Sequence, residues 1–217
     1  EVVHAPGLGV EEEIGTASEL IMHPEDAPCV VFEDIPGYPK GYRILVNFFG
    51  GKRQSMTLGF PTDLNKLEQS EAYFEHQLKD LQPIPQEFVD DGPVMENVIT
   101  GDDVDLLKFP TPLWHADDGG RYIGTGSYTV TVDPDTGWMN AGTYRVMIHD
   151  AKRAGCYICP GKHGRIHRDK YQALGQPMPV VIIIGGDPMT FLTACTEMPT
   201  GMCEYDIVGA MRGEPLK

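Results

Sequence analysis

Hydrophobic and polar positions along this chain change period several times. Residues 29–35 (CVVFEDI) and 42–49 (YRILVNFF) are apolar, β-branched runs separated by the turn composition PGYPKG, and they predict two joined strands. From Asp63 to Leu81 the period lengthens, with Leu67, Tyr73, Phe74, Leu78 and Leu81 at helical spacing. Residues 82–108 are rich in proline and acid, follow neither period and predict a linker. Beyond Pro110, GRYIGTGSYTVTVD and GWMNAGTYRVMIHD flank Pro134-Asp135-Thr136-Gly137 and predict a hairpin. AGCYICP predicts a third short strand, His163 to Leu174 a helix, and PVVIIIGG a buried strand. DPMTFLTACTE predicts a helix capped by Asp187, and GMCEYDIVGAMRG a closing helix. The order β-β-β-α-β-α-α after Pro110 is that of an α/β or α+β body.

Charge narrows the partners. The 217 residues carry 32 acids against 17 Lys and Arg, a formal charge of −15. Such a chain repels the nucleic-acid backbone, whose binding depends on Lys and Arg displacing counterions. No run approaches the ~18 apolar residues of a spanning helix. The start, EVVHAPGLGVEEE, is acidic rather than basic-then-apolar, so no secretory leader and a cytoplasmic location are expected. The five cysteines include CYIC at 156–159, but a strand there sends positions i and i+3 to opposite faces. Unpaired thiols in a reducing compartment are expected.

Against the acidic background, residues 152–170 hold six of the 17 Lys and Arg, with His163 and His167, and one acid, Asp169. The patch reads either as a solvated helix face or as a site for a small anion such as phosphate. His163 and His167 stand at i and i+4, a spacing that can ligate one metal but also arises by chance in a basic helix. Asn140 and Arg145 differ by five, so a regular strand turns them to opposite faces unless a bulge near Gly142 intervenes. Glu204 precedes an apolar helical run, where a carboxylate suits the helix dipole. GTG at 124–126 is too short for a dinucleotide loop, and DDGG at 117–120 reads as a turn.

Taken in order, PTPLWHADDGGRYIGTGSYTVT, NAGTYRVMIHD, PGKHGRIHRDKYQALGQPMPV, GGDPMTFL and CEYDIVGAMRGEP resemble the UbiD-type decarboxylases, which use prenylated FMN (prFMN). The resemblance covers roughly 110–217 closely. The fold it implies is an N-terminal α/β region over residues 1–100, then a split β-barrel of the flavin-reductase type over 101–217 that binds prFMN. It implies that Asn140, His163 and Glu204 hold a divalent metal, Mn²⁺ or else Mg²⁺ or Fe²⁺, that grips the flavin phosphate. Such a donor set suits these ions, and the phosphate supplies the charge that Asn lacks. A K⁺ site is implied as well, using Glu204 and carbonyls around Thr196 to Met198. Thr143, Tyr144, Lys162 and Met198 fall at cofactor-binding positions, and Arg145 at the family's catalytic arginine. His167 falls outside the set.

The implied reaction is reversible, non-oxidative decarboxylation of an aromatic or α,β-unsaturated acid, with the flavin as electron sink. A flavin prenyltransferase is implied as cofactor supplier, and a homo-oligomer, dimer or hexamer, as the assembly. The arginine's acidic partners and the family's C-terminal domain are expected beyond Lys217. The chain is therefore expected to be a piece of a longer enzyme, or one completed by another polypeptide, and inactive alone. A non-catalytic flavin- or metal-binding subunit and a plain FMN reductase are the competing readings.

Overall fold

The first strand, β1 (Val2–Pro6), pairs in parallel with β2 (Cys29–Glu33), Val2 opposite Cys29 and Pro6 opposite Glu33. A parallel pair needs a crossover, and α1 (Glu13–Met22) lies within it. β2 pairs antiparallel with β3 (Ile44–Val46), which sets the sheet order β1-β2-β3. This computed structural model describes residues 1–24 and 26–217, the side chains of 76–78 excepted.

By contacts the chain forms two compact units, 1–74 with 101–123 and 146–155, and 75–100 with 124–145 and 156–217. The core of the first is apolar: Val10, Ile14, Val30, Phe32, Ile35 and Val46. Gly15 is obligatory in α1, because a Cβ there would run into the backbone carbonyl of Trp114.

The expected strand at 42–49 shortens to three residues. Asn47 takes a left-handed backbone (φ 56°), and its side-chain amide donates to the carbonyls of Ala27 (3.2 Å) and Pro28 (2.9 Å). That local bonding ends the strand.

The expected helix at 63–81 starts at Asn65, whose side chain and Glu68 form a capping box for α3 (Lys66–Glu71). It continues as π-helix over Ala72–Leu78. Along it Tyr73 is buried, whereas Leu67 (77%) and Phe74 (54%) are exposed, so the apolar spacing marked a helix but not its buried face. Leu78 lies outside the described side chains. Within the first unit α2 (Arg53–Leu58) closes with Gly59 in the left-handed region.

The expected linker, 82–108, holds only short 3₁₀ turns. Its start is not free, however. The amides of Ile84 and Gln86 donate to the backbone carbonyl and the carboxylate of Asp206, and that of Glu87 to the Leu216 carbonyl.

In the second unit, the hairpin forms as expected from β5 (Ser127–Val132) and β6 (Met139–Gly142), Thr131 opposite Asn140. β9 (Val181–Ile184) pairs antiparallel on the other side of β5, in the order β6-β5-β9. It is a sheet edge rather than a buried strand, with Val181 60% and Ile184 54% exposed. The predicted strand 138–150 divides at Thr143 and Tyr144 into β6 and β7 (Arg145–Ile148). β7 lies between β4 (Tyr122–Gly124) and β8 (Ala154–Tyr157) in a third sheet.

The helices α4 (His163–Ala173), α5 (Pro188–Cys195) and α6 (Glu204–Arg212) follow. Asp187 caps α5 as expected, accepting from the amide and hydroxyl of Thr190, both at 2.8 Å. All five cysteines are free thiols. Among the described residues no helix is long and apolar enough to cross a membrane.

Candidate functional site

The hairpin turn is built on Asp133. Its amide donates to the Trp138 carbonyl (2.8 Å), its carbonyl accepts from Gly137 (2.9 Å), and its carboxylate accepts from the Asp135 amide (2.9 Å). Lys170, on α4, donates to the same carboxylate at 2.7 Å. Burial pushes the Asp133 carboxyl up, but Lys170 and the Asp135 amide outweigh it and hold it below the ordinary carboxylate value. The turn is thereby tied to α4, and β6 leaves it in fixed register.

Just past that register lies an open pocket of about 420 Å³, its open mouth included. Residues 140–144 form one wall, Lys162 and His163 around the start of α4 a second, 194–198 at and beyond the end of α5 a third, and Glu204 closes it. Seven positions carried over from the family resemblance thus line one cavity: Asn140, Thr143, Tyr144, Lys162, His163, Met198 and Glu204.

Tyr144 organises the wall. Its hydroxyl accepts from the side-chain amide of Asn140 (3.3 Å) and from the Gly164 backbone amide (3.1 Å). Both are incoming N–H groups, so the hydroxyl's own proton is left over for a ligand. Burial, chiefly, raises the Tyr144 phenol above its ordinary value and keeps that proton in place. Two glycines make room for the ring: a Cβ on Gly142 would stand 2.5 Å, and one on Gly164 2.8 Å, from the Tyr144 oxygen. Because Asn140 uses its N–H on Tyr144, the oxygen end of the amide remains for a ligand.

Glu204, 2% exposed, opens α6 and accepts from the Ala141 amide at 2.7 Å. Burial pushes its carboxyl up to about 7 despite that bond. His163 is lowered by burial, so its imidazole is neutral at neutral pH, the form that ligates metals. Trp138 meets the His163 ring edge-on at 4.7 Å. Amide oxygen, imidazole nitrogen and carboxylate are a donor set for a hard divalent ion. Among the described residues no three His, Cys, Asp or Glu gather as a metal cluster; this set has an amide as its third member.

Arg145 is not among the lining residues. It begins β7 with its side chain exposed, the guanidinium 5.9 Å from the Tyr157 ring centre.

The basic patch of 152–170 is not one surface feature. Lys152 donates to the carbonyls of Gly101 and Asp102, Arg153 to Asp150, Arg165 and Arg168 to Asp169, and Lys170 to Asp133 and Asp135. Only Lys162 among the six lines the pocket, paired with Glu197 at 2.9 Å.

His167 is fully buried, its Nδ1 2.9 Å from the Thr131 hydroxyl. Glu197 and Cys195 also line the pocket and were not singled out in the sequence. Their partners, Lys162 and Thr143, stand tens of residues away, so no local spacing announces them.

Comparison with known proteins identifies the family of the chain. Residues 87–217 match the model of the UbiD family, described as the 3-octaprenyl-4-hydroxybenzoate carboxy-lyase Rift-related domain. Over 136 residues the chain is 38% identical to a pyrrole-2-carboxylic acid decarboxylase of Pseudomonas aeruginosa, covering 63% of this chain and 27% of that one.

Its fold matches vanillic acid decarboxylase of Sedimentibacter hydroxybenzoicus in closed form, with TM-score 0.88, 27% identity, and 99% of this chain on 46% of that one. It also matches an evolved dimeric form of a UbiD-class enzyme from Pelotomaculum thermopropionicum in complex with prFMN, with TM-score 0.82, 25% identity, and 99% on 48%. The chain spans less than half the length of these relatives. With its mixed helices and open sheets and a family match over more than half its length, the chain belongs to the UbiD family of carboxy-lyases.

Proposed function

We propose that this chain supplies the metal and flavin-phosphate site of an enzyme that decarboxylates an aromatic or α,β-unsaturated carboxylic acid reversibly, without net oxidation, using prFMN. The observation that carries this is the single pocket lined by Asn140, His163 and Glu204 together with Thr143, Tyr144 and Lys162. In this reading residues 1–100 form the N-terminal α/β region and 101–217 a split-barrel domain that binds the flavin.

The residues present fit a metal–phosphate pair. Two donors, Asn140 and Glu204, are each 2% exposed and fixed by hydrogen bonds, Asn140 donating to Tyr144 and Glu204 accepting from the Ala141 amide, which keeps metal ligands in place. His163 and Lys162 stand at the N-terminus of α4, where backbone N–H groups and the helix dipole favour an anion. Mn²⁺, or Mg²⁺ or Fe²⁺, would be held by the three donors. The Tyr144 hydroxyl would donate to a phosphate oxygen, and Lys162 would offset its charge. A K⁺ ion would share Glu204 with carbonyls near Thr196 and Met198.

Bound prFMN supplies the electron sink into which the carboxyl group's bonding electrons pass as CO₂ leaves. Arg145 would orient the substrate carboxylate. Its side chain lies outside the pocket lining; in this reading its acidic partners would be supplied from outside these 217 residues, which alone would be inactive.

The test is anaerobic co-expression with a flavin prenyltransferase, followed by mass spectrometry of the released cofactor and metal analysis. Prenylated FMN with about one divalent metal per chain is the expected result. Plain FMN without metal, with NAD(P)H oxidation, sinks this reading in favour of a reductase.

A further inference from the structure

Among the side chains around the pocket, one that does not line it meets both the start of α4 and the approach to α6. Trp138 closes the hairpin turn: its carbonyl accepts from the Asp133 amide, and its own amide donates to the Thr136 hydroxyl (3.2 Å). Its indole lies across the face of α4, meeting His163 at 4.7 Å and His167, one turn further on, at 4.9 Å, both edge-on. Its indole N–H donates to the Met202 carbonyl at 3.1 Å, two residues before Glu204 begins α6. The next residue, Met139, opens β6, and Asn140 follows it.

We propose that Trp138 is a positioning residue that sets the spacing of the three donors, contacting His163 directly, fixing the approach to Glu204 through Met202, and leading directly into the strand that carries Asn140. His167 is the backstop. It is fully buried, bonded to Thr131, and held on the same helix, so the indole cannot slide along α4. An indole suits this task because one rigid side chain offers both a broad apolar edge and a single directional donor. Met202 and Asp133 mark the two ends of its reach, and neither is a ligand.

The inference rests on the proposed role of Asn140, His163 and Glu204, and its test separates the two. On the full chain, Mn²⁺ affinity by calorimetry, Mn²⁺ quenching of tryptophan emission and thermal stability are compared for wild type, Trp138→Phe, Trp138→Leu and Ile183→Ala. Ile183 packs against the cluster of Tyr128, Val130, Ala141 and Ala194 and is not itself a lining residue, so its variant serves as the control for lost stability.

Removing a support behind metal ligands weakens affinity on the order of 10–100-fold, expected for Trp138→Leu. Trp138→Phe keeps the ring edge and loses the donor, so it falls between Leu and wild type. Ile183→Ala leaves affinity unchanged. Mn²⁺ quenches part of the wild-type emission, and that part is missing in Trp138→Phe. If both Trp138 variants bind Mn²⁺ within about twofold of wild type, whatever their melting points, the inference fails while the ligand assignment stands. If the wild type binds no Mn²⁺, the ligand assignment fails and takes the inference with it. Should Trp138→Leu not fold, the Phe variant decides alone.

Discussion

The two compact units bury different proportions of polar residues. In the first, the fully enclosed side chains around the β1-β2-β3 sheet are Val10, Ile14, Val30, Phe32 and their neighbours, with isolated polar exceptions such as Ser18, bonded to the Ile14 carbonyl. In the second, the enclosed set includes Ser127, Thr129, Thr131, Asp133, Asn140, His167, Thr190, Thr193 and Glu204. Removing apolar surface from water stabilises the first directly. Burying polar groups does not, unless each is bonded; among the described atoms the hydroxyls of Ser127 and Thr129 and the Nε2 of His167 lack a hydrogen-bond partner here, against Ser55 alone in the first unit. Beside a smaller apolar cluster of Tyr128, Val130, Ala141 and Ala194, this unit gives up stability to hold a constellation of polar groups. Its pocket lies where those groups converge.

The contrast is tested most strongly by a cavity in the apolar unit. Phe32, 1% exposed at the centre of that core, should cost about 3–5 kcal/mol as Phe32→Ala. Chemical denaturation measures this, and Mn²⁺ affinity of the molecules still folded should not change.

Glu204→Gln should do the reverse. Metal affinity should fall by more than about 100-fold, since a ligand and not merely its support is lost, while thermal stability above neutral pH stays level or rises.

The pH dependence follows from the buried carboxyl, raised from 4.5 to about 7. A raised value means the fold favours the protonated acid. Its contribution to the metal-free protein is full below about 4.5 and is lost as pH rises through about 7. Melts of metal-free wild type should therefore decline across that window, and those of Glu204→Gln should lack this component. Metal affinity should run the other way, rising toward neutral pH as the carboxylate forms. A wild-type melting curve no steeper in pH than the Gln variant would contradict the burial argument.

Tyr144→Phe is a smaller break. It leaves the Asn140 side-chain amide and the Gly164 amide without their acceptor, a cost of about 1–3 kcal/mol. It should also loosen Asn140 in the site. If stability is unchanged and only phosphate or flavin affinity falls, the hydroxyl acts on the ligand alone.

What could be read from the chain beforehand divides along the same line. The hairpin at Pro134–Gly137, the start of α4 and the Asp187 cap were legible, because each depends on residues within a few positions of one another. The gathering of Asn140, His163 and Glu204 was legible only through resemblance, since residues on β6, α4 and α6 carry no shared spacing. Periodicity misjudged burial where tertiary pairing decides it. Val181 and Ile184 looked like core yet stand on an edge strand, and Leu67 sits on the outer side of its helix. The charge count misjudged the basic patch for a related reason, as five of its six cations answer nearby carbonyls and acids outside the pocket.

The sixth cation offers the finest test. Lys162 and Glu197 pair at 2.9 Å on the pocket wall, both about half exposed or more. Each holds the other in its charged form, Lys162 raised by the hydrogen bond it donates to Glu197's carboxylate and Glu197 lowered by that same bond. An exposed pair of this kind contributes only about 0–1 kcal/mol to folding, so Glu197→Gln should barely move the melting temperature. The pocket should feel it more. With Glu197 neutral, Lys162 loses its competing partner and the wall loses a negative charge, so inorganic phosphate should bind more tightly, by a few-fold and less so at high salt. Lys162→Met should weaken phosphate binding instead. Should Glu197→Gln leave phosphate affinity unchanged while Lys162→Met lowers it, Lys162 serves the anion without having to leave Glu197, and the pair is a fixed part of the cradle rather than a competitor for it.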